Sequence, residues 1–427
     1  MTKNDRAWKR YFDATFALSE IERNGFVYVS ATDLKRYGHR EPRLMAKQDT
    51  LSTRPKIFRD NHLTIFPKKN GEYIIFQDQK NQSYFDVGAT LDMVPVEEYR
   101  TVVDFQQYDS LPSVQFSESQ AIDYAYLASL IKTFTGQEEL NLTIRGRLRS
   151  GALQFRIPES HHQVLVEGVQ IEVDAGYESP DALVLIEAKV GRRDDFHIRQ
   201  LYYPYLEWFR HTRKPIIPVF LIYTNGMFYL TEFRFEEAFG DLEIVKTACY
   251  TINETPVADL DFNALLQQIQ PTEEPHNIPY PQANDLDKII DLVNLVGDGV
   301  QTKWDFADYF EFDERQGDYY ANAAAYLGLI RKQDHAFVLT ENGQKFIQLR
   351  NRAERIQAVV ELMLLRPPLY HIFRFYSDNQ FDLEYFKRDT ITEIINKNTN
   401  LSGSTPRRRA STIRSWLNWV IHNINNH

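Results

Sequence analysis

The spacing of apolar residues changes several times along the chain, and each change predicts a different element of secondary structure. Near the N-terminus, "AWKRYFDATFALSEIERNG" has helical apolar spacing that stops at Gly25, which predicts one helix. The stretch "FVYVSATDLKRYG" predicts a short strand and then a helix that begins at Ser30 or Thr32. In "HLTIFPKKNGEYIIFQDQ", two apolar segments flank the turn signal "KKNGE", as in a β-hairpin. Residues 1–110 are therefore predicted to form an α+β N-terminal domain.

The middle of the chain, residues 111–275, alternates between helical and strand-like patterns. A helix in "SESQAIDYAYLASLIKTFTG" is predicted to begin after Ser117 and to end at Gly136. The strand-like segments "LNLTIRGRLR", "GALQFRIP", "VLVEGVQIEVD" and "ALVLIEAK" follow. A helical stretch, "DDFHIRQLYYPYLEWFRHT", then precedes the two closing strands "PIIPVFLIYTNG" and "MFYLTEFRF". This order predicts an α/β domain in which helices flank a mixed sheet.

The C-terminal part follows a Pro-rich polar stretch at about 270–285, "QPTEEPHNIPYPQAND", which is typical of a linker. Residues 276–350 then have three helical patterns and a strand pair, an order that resembles a winged helix-turn-helix. Residues 351–427 are predicted to form a last, mostly helical domain. In the third helix of the winged-helix candidate, the residues expected to face the core are Ala323, Ala324, Leu327 and Ile330.

The composition is that of an ordinary globular protein. Hydrophobic residues make up 43% and charged residues 25% of the 427 residues, which is enough to bury real cores. The one cysteine, Cys249, excludes internal disulfides and zinc clusters built on several thiolates. The N-terminal sequence is charged from the start, and no apolar run approaches the length of a membrane span. We therefore expect a cytoplasmic protein without a membrane partner.

The charge is distributed unevenly, although the formal net charge is −10. Residues 1–70 contain 15 Lys and Arg against 8 Asp and Glu, and residues 400–427 contain four arginines and no acid. Residues 241–320 contain 4 bases against 17 acids. Such a chain can present basic surfaces to an anion such as DNA while it stays acidic as a whole. Uneven surface charge without any partner is the alternative that the charge pattern leaves open.

Two charged residues end an otherwise apolar strand in "ALVLIEAKVG". The run Leu183–Ile186 is typical of a strand that is covered on both faces. Glu187 and Lys189 follow, and residues two apart in a strand lie on the same face. Burying a charge is costly unless the charge is paired or binds a metal. This pair is therefore a candidate for chemistry.

The preceding strand supplies a second carboxylate. In "GVQIEVDAGYESPD", Ile171 and Val173 alternate with Glu172 and Asp174, and the segment "AGYESP" is expected to form a loop after Asp174. If the two strands are neighbours, Asp174 lies beside Glu187. Two carboxylates at that distance repel each other, and Mg²⁺, which often takes one or two carboxylates, would relieve the repulsion. A nearby ammonium can then help water to attack a phosphate.

This arrangement resembles the PD-(D/E)XK nuclease superfamily. Asp174 followed by Glu187-Ala188-Lys189 at the end of an apolar strand carries the resemblance. A helix with Glu118 near its start precedes the sheet, and a helix with Gln200 in "RQLYYP" follows the motif. The resemblance covers about residues 111–235. With its basic N-terminal domain and helical C-terminal domains, the whole chain resembles a type II restriction endonuclease with appended DNA-reading domains.

The resemblance implies roles for individual residues. Asp174, Glu187 and the carbonyl of Ala188 would bind Mg²⁺, and Lys189 would position the attacking water. Glu118 and Gln200 would be supporting catalytic residues. The literal Pro-Asp pair contains Asp181, which would begin the same strand as Glu187, too far along it to share a metal, so Asp174 is preferred. A buried Glu187–Lys189 salt bridge without a metal is the alternative that stays open.

Several groups of basic and polar side chains are candidate DNA contacts, because Lys and Arg pair with phosphates and polar groups read base edges. They lie in the N-terminal domain, on one face of the strand "TIRGRLRSG", on the third helix of the winged-helix candidate, and at the start of the last helix. The predicted contacts are Lys35, Arg36, Arg40, Arg43, Lys47, Arg145, Arg147, Arg149, Arg315, Gln316, Asn322, Thr405, Arg407, Arg408 and Arg409. Each group has an alternative as a solvated charged surface, and winged helices also serve as protein-contact modules.

The sequence thus predicts a sequence-specific, Mg²⁺-dependent endonuclease of double-stranded DNA that leaves 5′-phosphates, as the resemblance implies. Cutting both strands at a palindrome would favour a homodimer, and a restriction enzyme would have a cognate DNA methyltransferase as its genetic partner. Two alternatives stay open. One is a modification-dependent or repair nuclease of the same fold, and the other is a non-cleaving DNA-binding regulator with a degenerate nuclease fold.

Overall fold

The structure is a computed structural model in which 44% of the residues are in helices and 26% are in strands, so the chain is mixed α/β as predicted. It describes residues 2–108, 110–111, 117–235, 239–240, 242–253, 261–349, 352–379 and 387–425. The predicted domain boundary at residues 350 and 351 lies outside these ranges. The chain forms two compact units. The first comprises Met1–Glu97, Ser117–Tyr223 and Phe228–Tyr250, and the second comprises Glu98–Phe116, Thr224–Met227 and Thr251–His427.

The N-terminal part of the first unit combines short helices with a three-stranded sheet. Its elements are α1 (Lys3–Ala14), α2 (Ala17–Asn24), β1 (Phe26–Ser30), α3 (Ala31–Gly38), α4 (Pro42–Ala46), α5 (Lys56–Asp60), β2 (Leu63–Lys69), β3 (Glu72–Gln77), β4 (Tyr84–Asp86) and α6 (Gly88–Leu91). The next strand, β5 (Val96–Arg100), begins in the first unit and ends in the second. The sheet has the order β1-β3-β2 with antiparallel pairs, so the predicted hairpin of β2 and β3 is confirmed. The helix predicted to begin at Ser30 is also confirmed, because the Ser30 side chain caps α3.

The single helix predicted up to Gly25 is wrong. The chain leaves the helical conformation at Thr15, with φ −129° and ψ 165°, and a second helix, α2, begins two residues later. The Thr15 hydroxyl donates a hydrogen bond to the Tyr11 carbonyl, so it occupies an acceptor at the helix end. The predicted end at Gly25 is confirmed, since this residue has φ +82° and closes α2.

The rest of the first unit is built on a large mixed sheet. Its elements are α7 (Glu118–Leu127), α8 (Leu130–Thr135), β6 (Asn141–Arg149), β7 (Ala152–Arg156), β8 (Gln163–Glu167), β9 (Gln170–Glu178), β10 (Leu183–Val190), β11 (Asp195–His197), α9 (Arg199–Phe209), β12 (Ile216–Thr224), β13 (Met227–Phe235) and β14 (Leu242–Asn253). The sheet has the order β5-β14-β13-β12-β10-β9-β6. Because β10 pairs parallel with β12 and antiparallel with β9, the predicted mixed sheet is confirmed.

Several predicted boundaries in this sheet need correction. The helix from Ser117 to Gly136 has the predicted ends but breaks at Ser129, which has φ +64°. The predicted strand "VLVEGVQIEVD" is two strands, β8 and β9. The predicted helix "DDFHIRQLYYP" begins only at Arg199, since Asp195–His197 form β11. β14 was not predicted.

The loop predicted after Asp174 is also wrong, because β9 continues through "AGYE" to Glu178. Within this segment, Gly176 lies where β6 approaches β9 closely. A Cβ atom on this glycine would lie 2.8 Å from the Ile144 Cβ atom. The neighbouring Tyr177 is buried and stacks on Tyr126, with ring centroids 4.7 Å apart. Packing of this segment therefore requires an extended strand.

The second unit is mostly helical. Its helices and strands after residue 260 are α10 (Phe262–Gln268), α11 (Leu286–Gly297), α12 (Lys303–Phe310), α13 (Glu314–Tyr326), β15 (Ile330–Gln333), β16 (Ala336–Leu339), α14 (Glu341–Ile347), α15 (Arg352–Leu364), α16 (Pro367–Asp378), α17 (Arg388–Asn398) and α18 (Thr405–Asn425). The predicted order of three helices and a strand pair is confirmed by α11, α12, α13 and the β15–β16 hairpin. One hydrophobic cluster includes buried residues of every helix from α10 to α18, so these helices share a core.

The predicted linker at about 270–285 has no helix or strand, but it is not free chain. Tyr280 is 7% exposed and packs edge-on against Tyr326. The Trp416 indole donates a hydrogen bond of 2.9 Å to the Ala283 carbonyl, and the Thr272 amide donates one of 2.8 Å to the Leu365 carbonyl. The segment is therefore anchored along the second unit by its few apolar residues and by its backbone.

Across the part of the chain that the structure describes, no helix combines the length and the apolar character needed to span a lipid bilayer.

Candidate active site

The site lies where β9 and β10 run side by side. The pairing of Ile186 with Ala175 brings the next residues along the two strands, Glu187 and Asp174, to the same level of the sheet. The Ala188 amide donates a hydrogen bond of 2.8 Å to Asp174 Oδ2. The predicted proximity of Asp174 to the Glu-Ala-Lys segment is therefore present, although β9 does not end there.

The ammonium of Lys189 lies among acceptors. Its Nζ donates to Glu187 Oε1 at 2.5 Å and to the Ala188 carbonyl at 3.0 Å. It also forms an ion pair of 3.6 Å with Glu118 Oε1, in the first turn of α7. The side chains of Glu187 and Lys189 are 8% and 13% exposed, so this ion pair is largely shielded from solvent. The structure thus brings Glu118, which is distant in sequence, to the predicted Glu-x-Lys pair.

The carboxylates outnumber the cations in this cluster. Burial raises the pKa of Glu187 to about 8; Lys189 opposes this shift, while Asp174 and Glu118 add to it. Burial alone would lower the pKa of Lys189, but Glu187, Glu118 and Asp174 together hold it above its ordinary value. Three carboxylates around one ammonium leave an excess of negative charge when all are ionised. That excess favours either a proton on Glu187 or a further cation.

The donor atoms suit Mg²⁺ better than a metal that needs many protein ligands. In the described residues, no group of three or more His, Cys, Asp or Glu side chains is arranged to hold a metal. The available donors are the carboxylates of Asp174 and Glu187 and the carbonyl of Ala188, all hard oxygens. Mg²⁺ commonly takes one or two carboxylates and keeps several waters, so this small set fits it. Lys189 now hydrogen-bonds two of these three donors and would have to move from Glu187 to admit the ion.

Gln200 is the second residue of α9, which packs against β9 and β10. Its amide oxygen is buried and has no hydrogen-bond partner among the described residues. A buried acceptor without a partner costs free energy, so this oxygen is suited to accept a hydrogen bond from a water or a substrate.

The arginines of β6 are all exposed, in alternation with half-buried neighbours. Arg145 makes two hydrogen bonds to the Asp123 carboxylate, the shorter of 2.6 Å, and one of 3.2 Å to the Asp174 carbonyl. Arg147 pairs with Glu172 at 3.2 Å, and Arg149 donates to the Gly168 carbonyl. Each predicted DNA contact on β6 therefore already has a partner within the chain.

Asp123 was missed by the sequence reasoning. It lies on α7, as Glu118 does, and through Arg145 it connects this helix to the backbone of the strand that carries Asp174. The available signal was an acid inside an amphipathic helix expected to cover the sheet, opposite a strand of arginines. Such a signal indicates a salt bridge only when the pairing of helix and strand is already known.

The basic residues of the N-terminal part lie on α3, on α4 and beside them. Arg40 is half-buried and donates to the Asn4 side chain at 2.8 Å, and the exposed Lys35 pairs with Glu41 at 3.0 Å. The guanidinium of Arg36 lies over the Tyr37 ring. Arg43 and Lys47 are exposed. These five side chains form what we call the α3–α4 basic surface.

In the second unit, the predicted core residues Ala323, Ala324, Leu327 and Ile330 are buried, but the helix predicted over this stretch is too long, because α13 ends at Tyr326 and Ile330 begins β15. Arg315 and Gln316 are exposed at the start of α13, and Asn322 is half-buried. At the start of α18, Thr405 and Arg409 are half-buried, and Arg407 and Arg408 are exposed.

The starts of α13 and α18 share one electrostatic environment. The pKa of Arg409 is lowered by burial and by Arg408, and the phenol of Tyr319 on α13 opposes this shift. Arg409 therefore lies close enough to α13 to interact with Tyr319.

Comparison with known proteins finds three domains of unknown function along the chain. Residues 5–75 match the domain DUF6996, residues 79–251 match DUF6997, and residues 288–425 match DUF7226. The second match contains every residue of the carboxylate cluster, together with Gln200. No curated protein and no solved structure matches the chain.

Proposed function

We propose that the protein is a Mg²⁺-dependent endonuclease of double-stranded DNA, with its catalytic site on β9, β10 and α7. The supporting observation is the carboxylate cluster, in which Glu187 and Glu118 pair with the Lys189 ammonium and Asp174 accepts a hydrogen bond from the Ala188 amide between them. An Asp on one strand and a Glu-x-Lys on its neighbour, in a mixed sheet flanked by helices, is the arrangement of the PD-(D/E)XK superfamily. We propose membership of that superfamily for the first unit.

The residues of the cluster have distinct roles in this proposal. Asp174, Glu187 and the Ala188 carbonyl hold Mg²⁺, which when bound supplies positive charge against the phosphodiester. Lys189 orients the attacking water and offsets charge on the phosphate, and Glu118 holds the Lys189 ammonium in place. The buried amide oxygen of Gln200 accepts a hydrogen bond from that water.

The reaction is a hydrolysis. The water oxygen forms a bond to phosphorus, the bond between phosphorus and the 3′-oxygen breaks, and the proton lost by the water ends on that 3′-oxygen. The products are a 5′-phosphate and a 3′-hydroxyl.

We propose that separate surfaces bind and read the DNA. The α3–α4 basic surface and the arginines of β6 contact phosphates, and these arginines must exchange their present partners for them. In the second unit, α11, α12, α13 and the β15–β16 hairpin are proposed to form a winged helix. Its α13, together with the arginines at the start of α18, reads bases. A homodimer and a cognate methyltransferase belong to the same proposal.

The test is digestion of unmethylated phage DNA in Mg²⁺ with purified protein. We expect discrete fragments from the wild type and a loss of rate of at least about a hundredfold from Glu187→Gln. Asp181→Asn is the matched control, because Asp181 is an exposed acid two residues before β10 begins and is not the predicted first residue of that strand. Cleavage by Glu187→Gln at the wild-type rate would refute the proposal. Cleavage of methylated DNA, with unmethylated DNA left intact, would identify a modification-dependent nuclease.

One observation favours a second candidate, a non-cleaving DNA-binding regulator. The Lys189 ammonium already donates hydrogen bonds to Glu187 and to the Ala188 carbonyl, which are two of the three groups expected to bind the metal. A degenerate nuclease with a buried salt bridge would have this contact. This second candidate predicts that Mg²⁺ does not change the affinity for DNA, and that DNA stays intact with both the wild type and Glu187→Gln.

A further inference from the structure

The chain between Lys189 and Gln200 is held by the N-terminal part of the first unit. β11 pairs antiparallel with β4, with Phe196 opposite Phe85. The amides of Val87 and Gly88 each donate a hydrogen bond of 2.8 Å to the Asp194 carbonyl. The Ile198 amide donates one of 3.0 Å to the Ser83 carbonyl. Backbone hydrogen bonds to residues 83–88 therefore continue almost to the first residue of α9.

A second segment, residues 49–51, binds the same stretch through both backbone and side-chain contacts. The Leu51 amide donates a hydrogen bond of 2.7 Å to Asp195 Oδ1, and the His197 amide donates one of 2.9 Å to the Asp49 carbonyl. The Asp49 carboxylate also forms an ion pair of 3.6 Å with Arg199. Both carboxylates thus connect the N-terminal part to residues just before Gln200.

The three residues of β11 are buried, so their hydrogen bonds are shielded from water. Phe196 is 2% exposed and stacks on Phe220 of β12, with ring centroids 4.0 Å apart. His197 is 1% exposed and lies between the rings of Phe66 and Tyr84, each 4.8 Å away. Sheet side chains therefore cover β11 on one side, and side chains of the N-terminal part cover it on the other.

The position of Gln200 depends on this stretch, because α9 begins at Arg199. Because hydrogen bonds hold the residues just before α9, they also fix the position at which this helix begins. The Gln200 amide oxygen has no partner among the described residues, so no hydrogen bond to that oxygen holds the side chain in place. The backbone before it fixes where α9 begins, and the packing of α9 on β9 and β10 fixes its direction.

We infer that Asp195 and Asp49 are positioning residues that act on the catalytic site through Gln200. The N-terminal part is then an integral component of the catalytic site as well as a DNA-binding surface. Lys47, on the α3–α4 basic surface, precedes Asp49 by two residues, so this surface adjoins the same segment in the chain. The catalytic role of Gln200 rests on the proposed function, whereas its placement by the N-terminal part does not.

The test compares Asp195→Ala with Asp195→Asn in the full chain. Asparagine keeps an oxygen that accepts the Leu51 amide, whereas alanine removes it. Hydrogen exchange is measured on peptides covering residues 49–53 and 191–203. Cleavage of DNA in Mg²⁺ gives kcat and KM. Asp181→Ala, at an exposed position outside the held stretch, is the control for both measurements.

We expect Asp195→Ala to raise exchange in both peptides by about tenfold or more, since an opening of the segment becomes more frequent. We expect kcat to fall by about 10- to 100-fold, as when a residue that orients a catalytic group is lost, with KM for DNA within about twofold of wild type. Asp195→Asn is expected to retain wild-type exchange and kcat. Unchanged exchange in Asp195→Ala would overturn the inference, and so would raised exchange with unchanged kcat.

Two further arms keep the test decisive. If Asp195→Ala does not fold, Asp49→Ala removes only the ion pair with Arg199 and leaves the Asp49 carbonyl in place. It is expected to raise exchange at the start of α9 alone and to lower kcat by a smaller factor, and no change in either would overturn the inference. If the wild type cleaves no DNA, the proposed function fails, while the exchange measurement still decides whether residues 49–51 hold the segment.

Discussion

Mg²⁺ binding by this protein should strengthen as the pH rises from 7 to 9, because the metal needs Glu187 as a carboxylate. Burial, with Asp174 and Glu118, raises the pKa of Glu187 to about 8. A group with this pKa is ionised in about one molecule in eleven at pH 7 and in about ten in eleven at pH 9. Since only the ionised form binds the metal, the apparent affinity should increase about tenfold over this range. The affinity should rise about 5.5-fold from pH 7 to pH 8 and about 1.8-fold from pH 8 to pH 9.

Calorimetric titration in two buffers of different ionisation enthalpy measures this effect directly. At pH 7 the binding of one Mg²⁺ should release about 0.9 proton, and at pH 9 about 0.1 proton, as the ionised fractions require. The Glu187→Gln variant has no carboxylate at this position, so it should bind weakly and release no proton at either pH. Asp181→Asn should behave as the wild type, because Asp181 lies outside the cluster.

Equal affinity at pH 7 and pH 9 without proton release would refute the reasoning. It would mean either that Glu187 is not a ligand, or that its contact with Lys189 keeps it ionised in the free protein. Glu187→Gln separates the two: its affinity equals that of the wild type in the first case and is lower in the second.

Three further predictions follow from single contacts. His197 is buried with its pKa well below 6.5. Below about pH 6.5, His197 takes up a proton in the unfolded state but not in the folded state. The free energy of unfolding therefore falls by about 1.4 kcal/mol per pH unit, until the pH reaches the folded-state pKa. Urea unfolding at pH 5, 6 and 7.5 should show this slope in the wild type and lack it in His197→Phe. Gly176→Ala should destabilise the chain by about 1–3 kcal/mol through the clash with Ile144; equal melting temperatures of wild type and variant would contradict this. Arg408→Ala should reduce the salt slope of DNA binding by about one if Arg408 contacts a phosphate, and an unchanged slope would exclude that contact.

Much of the secondary structure follows from local signals. Ser30 and Ser117 cap helices, Gly25 and Gly136 end them, and the alternating pattern places Ile171 and Val173 inside. These features depend on residues within one turn or one strand of each other, so periodicity and capping predict them.

The errors lie where a distant contact overrides a local signal. The segment after Asp174 was predicted to form a loop, but the side chain of Ile144 packs against Gly176 and β9 continues. The Pro-rich segment before α11 suggested free linker, but Tyr280 and the Ala283 carbonyl anchor it. A local pattern carries no information about which distant surface will cover it.

The sequence by itself determined the Asp174 and Glu187-Ala188-Lys189 pattern, since strand alternation and a buried apolar run require only neighbouring residues. Only the tertiary structure decided that Glu118 pairs with Lys189, that Arg145 pairs with Asp123, and that residues 49–51 and 83–88 hold the segment before Gln200. Each of these contacts joins segments far apart in the chain. Their energies arise from burial and charge pairing that exist only once the sheet, α7 and the N-terminal part have packed together.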